Sequence, residues 1–284
     1  MKNYTIPKNL LSKGITNAKT KKNNLKTFIL YLAPHKQNEK KINICPMASK
    51  GCAAACLYTA GRGKFSNVQS SRINKTNYFI YAKELFIKQL AKEIIRETAK
   101  AKKVGEKIAF RLNGTSDLDF IYLLKKYASL DIADLNPTAI LYDYTKISGK
   151  VKKYKNHPNY FLTFSRAEDN ESIAQTVLND GGNVSIVFNG ELPNYWRGYK
   201  VIDGDTSDLV MIYNKNVVLG LRAKGDAKKD KSGFVVFGAE TKDKQHRQQV
   251  KLLRLHNQDR DYNNQMYPTF GKTSKNIEPI FNKL

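Results

Sequence analysis

Residues 138–144, TAILYDY, and residues 160–165, YFLTFS, are short apolar runs of the length typical of buried β-strands. Similar runs recur along the chain and number about eight in total. The others are TFILYLA (27–33), IAFRL (108–112), VSIVF (184–188), KVI (200–202), VVLGL (217–221) and FVVF (234–237). Buried strands that alternate with helices predict an α/β fold with a mostly parallel sheet. This number of strands favours a barrel-like or broken (β/α) barrel, and an open doubly wound sheet is the alternative.

Helical periodicity fills several of the segments between these runs. In residues 67–103 apolar side chains recur at spacings near i, i+4 and i+7, opposite a lysine-rich face. Shorter helices are predicted at residues 117–128 and 168–179. A final basic amphipathic helix is predicted at residues 240–256.

Composition divides the chain into three parts. Residues 1–26 are polar and basic and are expected to form an N-terminal arm. Residues 27–260 are expected to form a single α/β domain, with a cysteine-bearing loop at residues 45–64. Residues 261–284 are expected to form a C-terminal tail.

The composition also excludes several classes of protein. The 284 residues are 41% hydrophobic and 11% aromatic, which is enough for a core and argues against wholesale disorder. No stretch of about 18 apolar residues is present, so no membrane span is expected. The N-terminus, MKNYTIPKNLLSKG, lacks the apolar segment of a secretory signal. We therefore expect a cytoplasmic protein with reduced thiols.

The net charge predicts an anionic partner. There are 49 Lys and Arg against 25 Asp and Glu, and 49 − 25 gives +24. Such a surface repels itself unless a polyanion offsets it, and nucleic acid, DNA or RNA, is the expected partner. An AT-rich genome that favours Lys and Asn codons is the alternative origin of the excess. The sequence does not indicate the oligomeric state.

All three cysteines lie in one segment, ICPMASKGCAAACLYTAGRG at residues 44–63. Their spacing is Cys45-x6-Cys52-x3-Cys56. A disulfide framework would favour an even number and an oxidising compartment. The clustering instead predicts that the three are ligands of one metal centre.

Two kinds of metal centre fit three cysteines. The first is a [4Fe–4S] cluster held by three thiolates, which leaves one iron open for a ligand such as S-adenosylmethionine. The usual spacing for that chemistry, CxxxCxxC, is absent, but the small residues between the cysteines allow a loop to wrap a bulky cluster. The second is zinc, which needs a fourth ligand, and His35 is the nearest histidine upstream.

Polar side chains follow most of the predicted strands. In a parallel α/β fold the carboxyl ends of the strands meet on one face, which holds the site. We expect catalytic groups at Asp143, Lys146, Asp203, Asp205 and Lys224. We expect substrate- or cofactor-binding groups at Arg111, Asn113, Asp117, Ser165, Arg166, Asn189 and Asp208. Asp117 is equally typical of a helix cap.

The stretch VIDGDTSD at residues 201–208 places three carboxylates within six residues. They could bind a cation, hold a polar substrate or act as general acid and base. Two adjacent carboxylates need a neutralising cation, and Lys146 or Lys224 is expected to supply it.

Basic and aromatic side chains predict the contacts to nucleic acid. The expected residues are Arg62, Lys64, Arg72, Trp196 and Arg197. Trp196 is the only tryptophan and lies between tyrosines and basic residues in PNYWRGYK, a composition suited to stacking on bases. A small core within the loop is the alternative for it.

The order of several motifs resembles that of a widespread family of uncharacterised bacteriophage proteins. The motifs include ICPMASKGCAAACLYTAGRG, FRLNGTSDL, LYDYTK, YFLTFSRAEDN, VIDGDTSDL and GLRAKGDA. The sequence is also distantly similar to the mycobacteriophage gene product eighty-eight group, which has a comparable cysteine cluster. The resemblance covers about residues 14–238. It implies a phage origin, an infected bacterial cell as the setting and a shared site, and it supplies no reaction.

Three functions remain open on these grounds. The first is an iron–sulfur enzyme that modifies nucleic acid or a nucleotide, through radical chemistry with S-adenosylmethionine. The second is a zinc-containing base-exchange enzyme similar to guanine transglycosylases, with Asp143 or Asp203 as nucleophile. The third is a non-catalytic nucleic-acid-binding or host-takeover protein with a structural metal.

Overall fold

The computed structural model describes residues 4–16, 20, 23 and 25–237. The helix predicted at residues 240–256 and the tail predicted at residues 261–284 lie outside the described residues. No helix within the described part is long and apolar enough to cross a membrane.

Every predicted apolar run overlaps a strand. The ten strands are β1 (Leu11–Lys13), β2 (Lys26–Leu30), β3 (Ile108–Arg111), β4 (Ala139–Thr145), β5 (Tyr160–Ser165), β6 (Asn183–Asn189), β7 (Tyr195–Trp196), β8 (Tyr199–Asp203), β9 (Val218–Arg222) and β10 (Val236–Phe237). The sheet is covered on both faces where it is buried. Its buried strands are therefore rich in apolar side chains along their whole length.

The helices differ from the sequence prediction in several places. They are α1 (Lys50–Ala54), α2 (Ser66–Tyr81), α3 (Lys83–Lys103), α4 (Phe120–Ala128), α5 (Ser148–Lys153), α6 (Glu171–Asn179) and α7 (Val210–Tyr213). Among them, α1 and α7 were not predicted. The single helix predicted for residues 67–103 is two helices, because Ala82 leaves the helical conformation at φ −140° and ψ 54°. Helix α5 follows β4 although the sequence carries no clear helical signal there.

The sheet is mostly parallel, as predicted, and it is open. Its order is β1-β2-β3-β4-β5-β6-β9-β8-β7, with β10 beside β6. All pairs from β2 to β8 are parallel, and only β1–β2 and β7–β8 are antiparallel. The two edge strands do not pair with each other among the described residues, so the predicted barrel closure is not confirmed.

Alternate residues of the strands face two different layers. Ile108 and Phe110 of β3 pack in one core with Phe86 of α3 and Phe120 of α4. Ala109, between them, packs on the opposite face in a core that includes residues of α7. Most helices therefore cover one face, and α7 covers part of the other.

The segment after β8 bridges the second face. Ser207 Oγ donates a hydrogen bond to Asn23 Oδ1 at 2.7 Å. Arg111 Nη1 donates to Asp208 Oδ2 at 3.2 Å, although β3 and β8 lie five places apart in the sheet. The sheet is therefore curved, and residues of this segment span its concave face.

The N-terminal segment is packed on the domain, in contrast to the predicted arm. Leu10 is fully buried, and Glu93 of α3 accepts hydrogen bonds from the backbone N–H groups of Leu10 (2.7 Å) and Leu11 (2.9 Å). Lys75 Nζ of α2 donates to the Leu10 carbonyl at 2.7 Å. These bonds satisfy the backbone of β1 at the edge of the sheet.

Candidate functional site

The three cysteines lie in the connection that follows β2, the first parallel strand. Cys45 precedes α1, Cys52 lies within it and Cys56 follows it. Ser49 caps α1 and accepts a hydrogen bond from the Cys52 N–H at 3.1 Å. Because β2 runs parallel to its neighbour β3, this connection emerges at the carboxyl ends of the strands.

The three thiols share one electrostatic environment. Burial raises the pKa of Cys45 to about 12 and also raises the pKa values of Cys52 and Cys56. A thiolate at Cys52 or Cys56 would raise the pKa of Cys45 further, since the charges repel. Within the described residues, however, no three His, Cys, Asp or Glu side chains converge closely enough to hold a metal ion.

Lys146 brings a positive charge into this environment. Burial raises the pKa values of Cys52 and Cys56, and the nearby ammonium group of Lys146 opposes that effect. This ammonium group also lies 5.4 Å from the centre of the Phe234 ring. The structure thus brings Lys146 together with the cysteines, and the catalytic role predicted for it stays a prediction.

Asp117 and Asp143 hold the strand ends together from inside the protein. Asp117 accepts hydrogen bonds from Thr145 Oγ1 (2.8 Å) and from the buried ammonium of Lys150 (3.1 Å). Asp143 is 1% exposed and accepts from the backbone N–H of Asn113 at 2.8 Å and from its Nδ2 at 3.1 Å. Burial raises the pKa of Asp143 to about 6. These contacts favour positioning roles, and the catalytic role predicted for Asp143 stays a prediction.

Glu168 is a functional candidate that the sequence reasoning missed. It accepts hydrogen bonds from Ser49 Oγ and from the Gly51 N–H, both at 2.7 Å, and so ties α1 to the end of β5. It stands two residues after Arg166 in a polar strand end, which is the signal that could have found it. The hydrogen bonds from Ser49 and Gly51 lower the pKa of its carboxyl, although burial opposes them.

Arg166 and Ser165 also make structural hydrogen bonds at the carboxyl ends of the strands. Arg166 donates from Nη1 to the Phe234 carbonyl at 3.1 Å and from Nη2 to Glu171 Oε2 at 2.8 Å. Ser165 Oγ lies 3.0 Å from Ser185 Oγ on β6. Asn189, at the end of β6, pairs in register with Phe237 of β10. Each was predicted to bind substrate, and that role stays a prediction.

The carboxylates of VIDGDTSD separate into two groups. Asp203 pairs with Arg222 at 2.8 Å and Asp205 pairs with Lys224 at 2.7 Å, so Lys224 lies where a neutralising cation was predicted. Both cations are about half exposed. Asp208 is fully buried and pairs instead with Arg111.

The residues predicted to contact nucleic acid also divide. Arg62 and Lys64 are exposed on the short 3-10 turn Gly61–Lys64. Trp196 is 4% exposed and packs in the core beside α6, because the β7–β8 hairpin turns it inward. The structure therefore corrects the expectation that Trp196 stacks on bases. Arg197 is ion-paired with Glu171.

A shallow cleft of about 380 Å³ lies beside α1. Its lining includes Lys50, Gly51, Ala54, Asp226, Lys229 and Asp230. Gly51 fits closely here, since a Cβ atom would lie 2.1 Å from Ser232 Oγ and 2.8 Å from Phe234 Cβ. Helix α1 therefore packs directly on the segment that leads into β10.

Comparison with known proteins identifies the family. A search of curated proteins and a search of solved structures found no match. The family model described as Gene product 88 matches residues 9–238, which include the cysteine segment and the polar strand ends. This agrees with the phage family that the order of the motifs resembles. Since the match covers most of the chain, the protein belongs to the Gene product 88 family.

Proposed function

We propose that this protein is a metalloenzyme in which Cys45, Cys52 and Cys56 hold an iron–sulfur cluster and which modifies nucleic acid or a nucleotide. The observation that supports it best is the shared environment of the three thiols beside Lys146. That environment lies at the carboxyl ends of parallel strands, where α/β enzymes place their sites.

The chemistry of the donors fits such a cluster. Thiolates are the preferred ligands of iron–sulfur clusters, and three of them leave one iron without a protein ligand. The buried thiols would lose their protons on binding the metal. The thiols must also approach one another, since they are not at chelating distance among the described residues. When bound, the cluster would supply an electron and a binding position for S-adenosylmethionine.

The surrounding residues would orient and charge the site. Lys146 offers a cation to a thiolate or to an anionic ligand. Asp117 fixes the Lys146 backbone, and Glu168 fixes the start of α1. These side chains keep the three cysteines on one side of the sheet edge.

Charge at the same edge supports the nucleic-acid part of the proposal. Exposed cations stand on connections after parallel strands, and they include Lys50, Arg62, Lys64 and Lys224. The chain as a whole has a net charge of +24. The phosphate groups of a nucleic acid would be neutralised by these side chains, beside the cysteines.

Anaerobic purification with iron, sulfide and zinc analysis tests the metal. We expect a brown protein that absorbs near about 400 nm. Each of Cys45→Ala, Cys52→Ala and Cys56→Ala should lose the bound metal, while Met47→Ala, an exposed residue of the same loop, should keep it. Stoichiometric zinc would instead favour the base-exchange or the non-catalytic alternative. Full metal content in all three cysteine variants, or none in the wild type, would refute a cysteine-ligated centre.

Incubation of the reduced protein with S-adenosylmethionine tests the reaction class. Release of methionine that requires the three cysteines is expected. A protein that holds the cluster but never consumes S-adenosylmethionine would refute this reaction and leave the cluster in another role.

A further inference from the structure

Arg72 of α2 is a half-buried cation, and part of its guanidinium group is shielded from solvent. Its guanidinium carbon lies 4.7 Å from the centre of the Tyr31 ring and 6.0 Å from that of Tyr58. Its Nε and Nη1 atoms are buried and make no hydrogen bond. Among the described residues it forms no ion pair with a carboxylate.

This arrangement is costly unless a ligand completes it. A buried guanidinium stays charged, and each unsatisfied N–H group loses its hydrogen bond to water. Burial lowers the pKa of Arg72, and only the neighbouring Tyr31, Tyr58 and Cys56 oppose that effect. The buried N–H groups of Arg72 therefore lack a hydrogen-bond acceptor among the described residues.

The position belongs to the proposed metal site. Arg72 is close enough to Cys56 to lower the pKa of its thiol. The turn Gly61–Lys64 lies against it, and a Cβ atom at Gly63 would lie 3.4 Å from Arg72 Nη1 and 2.9 Å from the Leu57 carbonyl oxygen. Arg72 as a whole is half-buried, so solvent still reaches part of the side chain.

We propose that Arg72, framed by Tyr31 and Tyr58, is the recognition group for an oxyanion, a carboxylate or a phosphate, of the small molecule that binds beside the three cysteines. The aromatic contacts hold the planar guanidinium, whose N–H groups point outward in its own plane and match two oxygens of an oxyanion. The proposal deepens the proposed function, since the ligand would be the cofactor or the substrate of that site.

The experiment measures ligand binding to the metal-free full chain by calorimetry and thermal unfolding. The probes are inorganic phosphate, a deoxynucleoside monophosphate and S-adenosylhomocysteine, which bears a carboxylate, with adenosine as the uncharged control. We expect at least one anionic probe to bind to the wild type. Arg72→Gln should weaken the affinity for that probe at least about tenfold. Arg72→Lys keeps the positive charge but loses the planar N–H donors of the guanidinium, so it should weaken the affinity less than Arg72→Gln does. The control Arg96→Gln removes a surface arginine of α3 and should bind like the wild type.

Each outcome decides the proposal. Binding of the two phosphate probes alone identifies a phosphate ligand, and binding of S-adenosylhomocysteine but not adenosine identifies a carboxylate. Binding of no anionic probe, or equal binding by wild type, Arg72→Gln and Arg72→Lys, would overturn it and leave Arg72 as a packing residue. Metal content is measured separately on the same variants. A wild type that carries no metal as purified but binds phosphate through Arg72 would refute the metal proposal alone.

Discussion

The Asp117 carboxylate accepts a hydrogen bond of 2.8 Å from the backbone N–H of Lys146. Asp117 follows β3 and Lys146 follows β4, so the bond joins the ends of two neighbouring strands. The backbone N–H of Asp117 in turn donates to the Ile44 carbonyl at 3.0 Å, next to Cys45. Asp117 thereby contacts both sides of the site, the Lys146 backbone through its carboxylate and the cysteine segment through its own backbone N–H.

Asp117→Asn should destabilise the fold strongly. The substitution leaves the ammonium of Lys150, which is 5% exposed, without its counter-charge, and breaking a buried ion pair costs about 3–5 kcal/mol. Urea denaturation measures the change in the free energy of unfolding. Asp131→Asn removes the exposed pair with Lys125 and should cost about 1 kcal/mol or less. Equal effects of the two substitutions would contradict the role given to Asp117.

The strands were predictable because the chemistry that forms them is local. Most of the eight runs are predominantly apolar, as burial between two layers requires, whereas β8, which contains KVI, is only partly buried. Strands β1 and β7 were not predicted, because segments of three and two residues are too short to show a hydrophobic period. Helix α5 was missed because SGKVKK contains a single apolar residue, and its Lys150 is held by an ion pair made across the fold.

The site was predictable only in part, because sequence does not tell which face of a strand a residue occupies. The cysteines, which are clustered in the sequence, and Lys146 are neighbours in the structure. Asp143 lies in the interior. Neighbouring residues of a strand point to opposite faces of the sheet, so an error of one residue in the expected position reverses the direction of the side chain. Trp196 is buried because its hairpin folds onto α6, a contact between segments far apart in sequence.

Asp143 should make stability depend on pH between about 4 and 6. Burial raises its pKa from 3.8 to about 6, so the protonated form is favoured in the folded state. The contribution to stability is fully present below the unfolded pKa and is lost as pH rises through about 6, with a total of about 3 kcal/mol. Denaturation from pH 4 to pH 7 should show this loss in the wild type relative to Asp143→Asn. Parallel curves for the two proteins would show that the carboxyl does not titrate in this range.

Gly51→Ala should separate α1 from the segment before β10. The new Cβ would meet Ser232 Oγ at 2.1 Å, Phe234 Cβ at 2.8 Å and Glu168 Oε1 at 2.9 Å, and such overpacking costs about 1–3 kcal/mol. Because Cys52 follows Gly51, the variant should also lose bound metal.

The matched control is Gly149→Ala in α5, where a Cβ meets nothing within 4 Å. Alanine favours helix by about 0.5–1 kcal/mol over glycine, so this variant should be neutral or more stable. If Gly51→Ala were as stable as Gly149→Ala and kept its metal, the close packing of α1 would not matter.

Binding of nucleic acid should depend steeply on salt and should use the turn beside the cysteines. Each phosphate contact contributes about 0.9 to the slope of the logarithm of the binding constant against the logarithm of salt concentration. Arg62→Gln combined with Lys64→Gln should therefore reduce that slope by about 2 for duplex DNA, because both side chains are exposed at the strand ends. Trp196→Phe should leave the slope unchanged, since the ring is buried. Fluorescence anisotropy between about 50 and 200 mM salt measures all three. A slope near zero in the wild type would mean that the charge of +24 does not serve nucleic-acid binding. An unaltered slope in the double variant would mean that the contact surface does not include the turn beside the cysteines.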